Sequence, residues 1–385
     1  MLSHIYPSSA FRSRGTFVHN QVRFLRSHAD IEVRVPIPWA PPLPGSGRWS
    51  TYSRVGTQEC LDGVAVRYPR ILSLPRRLLY TRAWRSYLAA LQRSVSRVPD
   101  LVHAHWAYPE GYAAVQYGRR AGCPAVISVH GLDVGEIAEA RPRWRRLVAA
   151  ALGGAARVIV SSQDIRRRVL DLGVPDERIH FIPQGVDCEV FRPQGGRVPG
   201  EGGWRLLYVG RFDARKGLAV LLEAMGPLRA RLGHVTLKLI GGTPVSGATG
   251  AFTQQAHALG VADRVEFVDE QPEAEIARAM ADADLLILPS FYDSFGVVLI
   301  EAMACGLPVV ATRCGGPSDI VVPEVGRLVE PGDASALAQA VAETLEGHAQ
   351  YDPVAIRNRA ERLYDYRQLA RRISDVYREA LQTSS

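Results

Sequence analysis

An α/β protein of two Rossmann-like, doubly wound domains facing across a cleft is the fold this sequence predicts, on three observations. The chain has 385 residues, enough at ~100–200 residues per domain for about two domains that each bury a core. Short β-branched runs alternate with helix-periodic segments along most of the sequence, the pattern of parallel sheets covered on both faces. Between the halves, residues 192–203 hold five glycines and two prolines. Such a stretch cannot be a core element and is the expected hinge.

The elements follow in order. In the first half strands are expected at 32–39, 64–70, 101–106, 124–131, 157–162 and 179–184, with helices at 15–28, 108–121 and 163–172. Only residues 2–6 precede Pro7-Ser8-Ser9, so the opening strand is expected to be short. In the second half strands are expected at 205–209, 235–240, 264–268, 284–289 and 308–311, with helices at 217–232, 272–283 and 294–305. The last 30 residues read as one polar helical pattern. The expected domains are 1–195 and 196–365, followed by a terminal helix at 366–385.

Composition excludes several classes. Hydrophobic residues make up 47% and charged residues 22%, a globular balance that rules out disorder, collagen and coiled coil. Even the apolar stretch from 297 to 310 is broken by Glu301, so no transmembrane helix is expected. The start, Met1-Leu2-Ser3-His4, lacks a basic segment and an apolar core, and the expected location is the cytoplasm. Five cysteines without a Cys-x-x-Cys pair and ten histidines without His-Glu-x-x-His spacing give no metal site and no disulfide framework.

The net charge of +7 is unevenly divided. Residues 1–195 carry 27 Lys and Arg against 15 Asp and Glu, a net of +12, and the remainder nets −5. The first half is therefore expected to meet an anion: a membrane surface, a phosphorylated acceptor or nucleic acid. No recognition motif supports nucleic acid. Residues 76–97 place Tyr80, Trp84, Tyr87, Leu88, Leu91 and Val95 at helical spacing among six arginines. That pattern fits a membrane-surface helix or a core-facing helix with a solvated basic face.

In open parallel sheets ligands bind beyond the carboxyl ends of the strands. After strand 205–209 comes Gly210-Arg211-Phe212-Asp213-Ala214-Arg215-Lys216-Gly217. A guanidinium and an ammonium beside a helix N-terminus suit a diphosphate, and a solvated basic loop is the alternative. After strand 284–289 comes Ser290-Phe291-Tyr292-Asp293-Ser294-Phe295-Gly296, where Gly296 lets a ligand approach free backbone N–H groups. Glu301 lies in an otherwise apolar helix, where a carboxylate needs sugar hydroxyls, an arginine or an orphan backbone group as partner. Eight residues span about two helical turns, which would put Asp293 and Glu301 on one side. Gly315-Gly316-Pro317 and Gly241-Gly242 are further places for a backbone approach to an anion.

In the first half, His130-Gly131-Leu132-Asp133 ends a strand. Its histidine and aspartate could orient a hydroxyl, or the histidine could be structural. His103 and His105 share one strand face as cleft or core residues. Asp282-Ala283-Asp284 matches an Asp-x-Asp metal motif but closes a helix before a buried strand, which favours capping.

Together, Gly210-Arg211 with Lys216-Gly217, Pro289-Ser290 with Asp293, Phe295-Gly296 and Glu301-Ala302, and Thr312 with Gly315-Gly316 resemble glycosyltransferase family 4. His130-Gly131-x-Asp133, Gly15-Thr16-Phe17-Val18 and Ile182-Pro183-Gln184-Gly185-Val186-Asp187 extend the resemblance over nearly the whole chain. The resemblance implies a retaining, metal-independent enzyme of the GT-B fold that needs no cofactor and uses a nucleoside-diphosphate sugar as donor. By it, Arg211 and Lys216 hold the diphosphate and Glu301 the ribose hydroxyls. Asp293, with the backbone of Phe295 and Gly296, contacts the donor sugar. His130 sits near the reacting centre, Gly15 admits the phosphates and acceptor to the first loop, and the last helix crosses back to the first domain. This sequence departs from the family pattern in having Asp293 for the usual Glu, Gln184 for the usual Asn, and a short first strand whose following loop has Gly15 but no paired glycines.

The expected reaction moves a sugar to a hydroxyl acceptor with retained configuration, in polysaccharide or cell-wall assembly. A lipid-linked or phosphorylated acceptor fits the basic first half, with the protein peripheral at the inner membrane face. The other readings are transfer to a natural product, a nucleotide-sugar epimerase or phosphorylase on the same fold, and a binding scaffold without turnover.

Overall fold

The computed structural model describes residues 1–12, 14–39, 48–73, 79–194, 198–242 and 248–383. Part of the expected hinge and the start of segment 76–97 therefore lie outside the described residues. The chain forms two compact units, one of Met1–Pro183 with Tyr366–Ser385 and one of Gln184–Asp365. The second unit starts ahead of the glycine-rich stretch expected as the boundary, and burial explains why. Val186, Cys188 and Phe191 are buried in its core, and the Val186 N–H donates to Tyr364 O at 2.9 Å. Arg357 donates to the carbonyls of Cys188 and Phe191. Counted by these units, the first carries 30 basic against 15 acidic residues, a net of +15, and the second nets −8.

The strands of the first unit are β1 (Val33–Arg34), β2 (Ile37–Pro38), β3 (Gln58–Leu61), β4 (Val64–Arg67), β5 (Arg70–Ile71), β6 (Val102–His105), β7 (Ala125–Val129), β8 (Arg157–Val160) and β9 (Ile179–Phe181). Strands β6 to β9 form a parallel sheet in that order, and β1-β4-β3 a smaller one. The expected opening strand is reduced to Leu2, which bridges in parallel to Arg34 on one side and Ala104 on the other. Its N–H donates to His103 O at 2.8 Å and its carbonyl accepts from His105 N at 2.9 Å. The expected 32–39 and 64–70 strands are each broken in two. The β3–β4 hairpin, with Asp62-Gly63 both at positive φ in its turn, escaped the alternation reading, although Asp-Gly is a hairpin signal.

The polar tail expected as one helix is two, Pro353–Tyr364 and Tyr366–Gln382, broken at Asp365, whose backbone is extended. Leu369, Ala370, Ile373, Val376 and Ala380 recur every three or four residues, giving Tyr366–Gln382 one apolar face. That face packs on Leu25, Val126, Ile159 and Ile182 of the first unit. In Ala83–Ser94, Leu88 and Leu91 are buried and Trp84 and Tyr87 pack against the core, the core-facing arrangement.

The second unit holds β10 (Trp204–Arg211), β11 (Val235–Gly242), β12 (Val265–Val268), β13 (Leu285–Leu288), β14 (Val309–Thr312) and β15 (Gly326–Val329). All pair in parallel in the order β12-β11-β10-β13-β14-β15. The order reverses between β10 and β13, the place where doubly wound sheets open a ligand crevice at the strands' carboxyl ends. β13 and β14 are buried along their whole length, as strands covered on both faces are.

Leu2 is fully buried in the first unit's core. Leu2→Ala is expected to destabilise that unit by about 2–5 kcal/mol, measured by urea unfolding. A cost under ~1 kcal/mol would show that the residue's side chain contributes little to joining the two sheets.

Candidate active site

At the carboxyl end of β10 the chain turns through Asp213, whose side chain accepts from Arg215 N, into the helix Leu218–Leu232. Gly217 at the turn has φ 69°, and a Cβ there would lie 1.9 Å from Pro289 O. The loop after β13 is tied to the same turn by Phe291 N donating to Arg215 O at 2.8 Å. Lys216 Nζ donates to Asp293 Oδ2 at 2.6 Å, with both side chains mostly buried. Arg211 is largely exposed, its guanidinium 3.1 Å from Asp213.

Asp293 is not on the helix of Glu301, so their helical spacing does not set their relation. That helix is Val297–Ala304. Asp293 is instead pinned by bridging to Gly315, by its N–H donating to Cys314 O at 3.1 Å, and by its carbonyl accepting from Gly316 N at 3.0 Å. A Cβ on Gly316 would lie 2.2 Å from Phe295 Cα. The Gly315-Gly316 pair thus admits the neighbouring loop, where an anion approach was expected. Gly241 likewise packs on Gly210, whose carbonyl oxygen would be 1.8 Å from an added Cβ.

Phe295 buries its ring against Tyr364 and donates its N–H to Asp293 Oδ1 at 3.3 Å. Gly296, with φ 93°, starts the helix with no side chain capping it, so first-turn N–H groups remain for a ligand. Glu301 is half-buried one turn further on, and among the described residues no donor reaches its carboxylate. Burial, with a smaller contribution from Glu273, pushes that carboxyl up to about 8. Asp284 holds backbone, accepting from Arg205 N at 2.8 Å and Gly200 N at 3.4 Å. Among the described residues no three His, Cys, Asp or Glu side chains cluster as metal ligands would.

The first unit holds His130 and Gly15. Gly15, with φ 75°, precedes the helix Thr16–Leu25, and a Cβ there would lie 2.6 Å from Ile5 O. His130 is half-buried beyond β7, its Nε2 3.0 Å from His105 Nδ1. Its ring packs on Trp106 at 4.5 Å and Phe17 at 5.1 Å between centroids. Burial, helped by the nearby His4, pushes His130 down to about 3, so it is a neutral imidazole at ordinary pH. Asp133 does not partner this ring. Its carboxylate accepts from the backbone N–H of Ala107, His130 and Val134, and burial raises it to about 6.

Sequence reasoning missed three neighbours. Trp106, a non-glycine residue at φ 76°, is held in a sparsely populated conformation of the kind found at functional sites. His4 places its Nδ1 against the carboxylate of Glu110, whose side chain is wholly buried, and packs on Trp106 at 4.8 Å. Nothing in the spacing of these residues signals the pairing, since Glu110 falls inside an expected helix.

Comparison with known proteins places the chain. Residues 15–190 match the family described as Glycosyltransferase Family 4 and residues 203–347 the one described as Glycosyl transferases group 1. A D-inositol 3-phosphate glycosyltransferase of Nocardioides sp. (strain ATCC BAA-499 / JS614) is 30% identical over 360 residues, covering 84% of this chain and 78% of the relative. The protein assigned as teichuronic acid biosynthesis glycosyltransferase TuaC of Bacillus subtilis (strain 168) is 28% identical over 357 residues, covering 88% and 87%. Among solved structures, Anabaena Alr3699/HepE in complex with UDP-glucose superposes with a TM-score of 0.72 at 20% identity, covering 97% of both chains. With the two parallel-sheet units, these matches make the chain a glycosyltransferase of the GT-B fold, a member of glycosyltransferase family 4 and the group 1 glycosyl transferases.

Proposed function

We propose that the protein transfers a hexose from a nucleoside-diphosphate sugar to a hydroxyl acceptor with retention of configuration and without a metal ion. The carrying observation is the Lys216–Asp293 pair at the reversal of strand order, beside two helix starts without side-chain caps. Negative charge develops on the leaving diphosphate. Arg211, Lys216 and the N–H groups after Gly217 and Gly296 are fixed positive groups suited to stabilise it. Asp293 holds the lysine through Oδ2, and its Oδ1, which accepts from Phe295 N–H, keeps a lone pair for a donor hydroxyl. Glu301 is assigned the ribose, and His130, a neutral imidazole, orients a hydroxyl near the reacting carbon. The departing phosphate takes the acceptor's proton, so attack comes from the face on which the diphosphate leaves. HepE binding UDP-glucose supports UDP as the donor nucleotide.

For the acceptor, the teichuronic acid relative supports a lipid-linked or polysaccharide precursor, met by the basic first unit at the cytoplasmic membrane surface. No described helix is long and apolar enough to cross a membrane. The inositol phosphate relative favours a second reading, a soluble phosphorylated acceptor, which the +15 charge of the first unit would also attract.

Calorimetric titration of UDP, GDP, ADP and CDP in EDTA tests the donor site. One nucleotide, UDP by this reading, should bind, and Lys216→Ala should weaken it at least ~10-fold while lowering kcat about 10²–10³-fold. A folded protein that binds none of the four would overturn the proposal.

Glu301 gives a pH test. The folded chain keeps this proton up to about pH 8, whereas the unfolded chain releases it near ~4.3. The group therefore removes stability as pH rises through that window. Glu301→Gln should gain on wild type by roughly 2–4 kcal/mol between pH 5 and pH 8 in urea unfolding, while weakening nucleotide binding. Parallel pH profiles for the two proteins would show that the buried carboxyl titrates normally.

A further inference from the structure

We propose that His105 is a positioning residue that fixes the tautomer and ring orientation of His130. The inference rests on the reading that His130 acts at the reacting centre. His105 lies on β6 with no exposed surface, and its Nδ1 is 3.0 Å from His130 Nε2. The two rings are within 10° of parallel. On its other side His105 stacks on His103 at 4.7 Å between centroids. His103 cannot turn, because Tyr377 Oη sits 2.6 Å from its Nδ1 and Ser128 Oγ 2.8 Å from its Nε2. Trp106, strained at φ 76°, packs its ring on His130 at 4.5 Å. The His130 ring is thus bounded by a hydrogen bond and by aromatic neighbours.

The cost of this arrangement is visible in one atom. His105 Nε2 is buried with no hydrogen-bond partner among the described residues, a loss of the kind that an apolar side chain would avoid. What a histidine gains at this position is the bond to His130. Burial keeps all three imidazoles neutral, with His103 and His130 at about 3 and His105 well below its ordinary range. Between two neutral imidazoles one nitrogen donates and the other accepts. Orphaned buried N–H groups are rarer than orphaned acceptors, so Nε2 of His105 is the bare lone pair and its Nδ1–H donates to His130 Nε2. His130 then carries its proton on Nδ1, and the partner of one ring nitrogen dictates the state of the other.

Nitrogen-15 NMR of the histidine side chains in the full chain reads the tautomer directly. Wild type should show His130 with a pyridine-like Nε2 and a pyrrole-like Nδ1. His105→Phe should convert it to a tautomer mixture, with kcat lowered about 10–100-fold and donor KM within about threefold of wild type. His105→Asn places an amide where Nδ1 was and should restore the His130 signals and most of the turnover. His105→Gln places its amide near Nε2 and should behave like Phe. If Phe fails to give a cooperative thermal transition, the contrast between Asn and Gln decides. Unchanged His130 resonances in the Phe or Gln variants, or equal turnover in Asn and Gln, would overturn the proposal. Full turnover by His130→Ala would instead remove the catalytic reading of His130, and the resonances would still report whether His105 sets its tautomer.

Discussion

Two strand ends in the second unit approach so closely that a single missing carbon decides their spacing. Gly217, at the end of the β10 loop, faces the Pro289 carbonyl, and any Cβ would overlap it at 1.9 Å. Because that contact closes, Phe291 can donate to Arg215 O and Lys216 can reach Asp293. The same economy operates one strand further, where Gly316 yields to the Phe295 backbone. Side-chain-free positions thus hold the loops together, and the charged groups are delivered by backbone whose course is fixed by close packing.

The two units differ in electrostatic character as well as in sheet construction. The second unit is net acidic, yet its β10 loop presents Arg211, Arg215 and Lys216 together. Local cations inside an acidic unit owe their placement to the fold, since the wider field does not favour anions there. The first unit is net basic, and a net charge of this kind bears on association rate and solubility more than on geometry.

Much of this organisation was legible in the sequence, and the exceptions have physical causes. Strand–helix alternation and the residues after each second-unit strand could be read because buried parallel strands are continuous apolar runs followed by glycine and charge. The Asp293–Glu301 relation could not, because Asp293 belongs to a loop shaped by Gly315 and Cys314, contacts remote in sequence. The unit boundary misled for a related reason. Glycine and proline mark where chain is loose, whereas the boundary follows where Val186, Cys188 and Phe191 are buried. In the first unit, Asp133 reads as a chemical group beside His130, but its lone pairs are taken by three backbone donors. The imidazole stack of His103, His105 and His130 needs two strands in register. One strand's alternation shows only that His103 and His105 share a face.

The single-residue strand at Leu2 has a consequence for how the first unit comes apart. Between β1 and β6 the hydrogen-bond ladder runs through one residue and its neighbours, while β6 to β9 pair along their lengths. Opening the sheet at Leu2 therefore breaks fewer hydrogen bonds than parting β6 from β7 or β7 from β8. Each parting bares the flanks of β1 and β6, two fresh edges able to template pairing with another chain. The seam that completes this sheet is therefore also a place where strand edges become available to another chain.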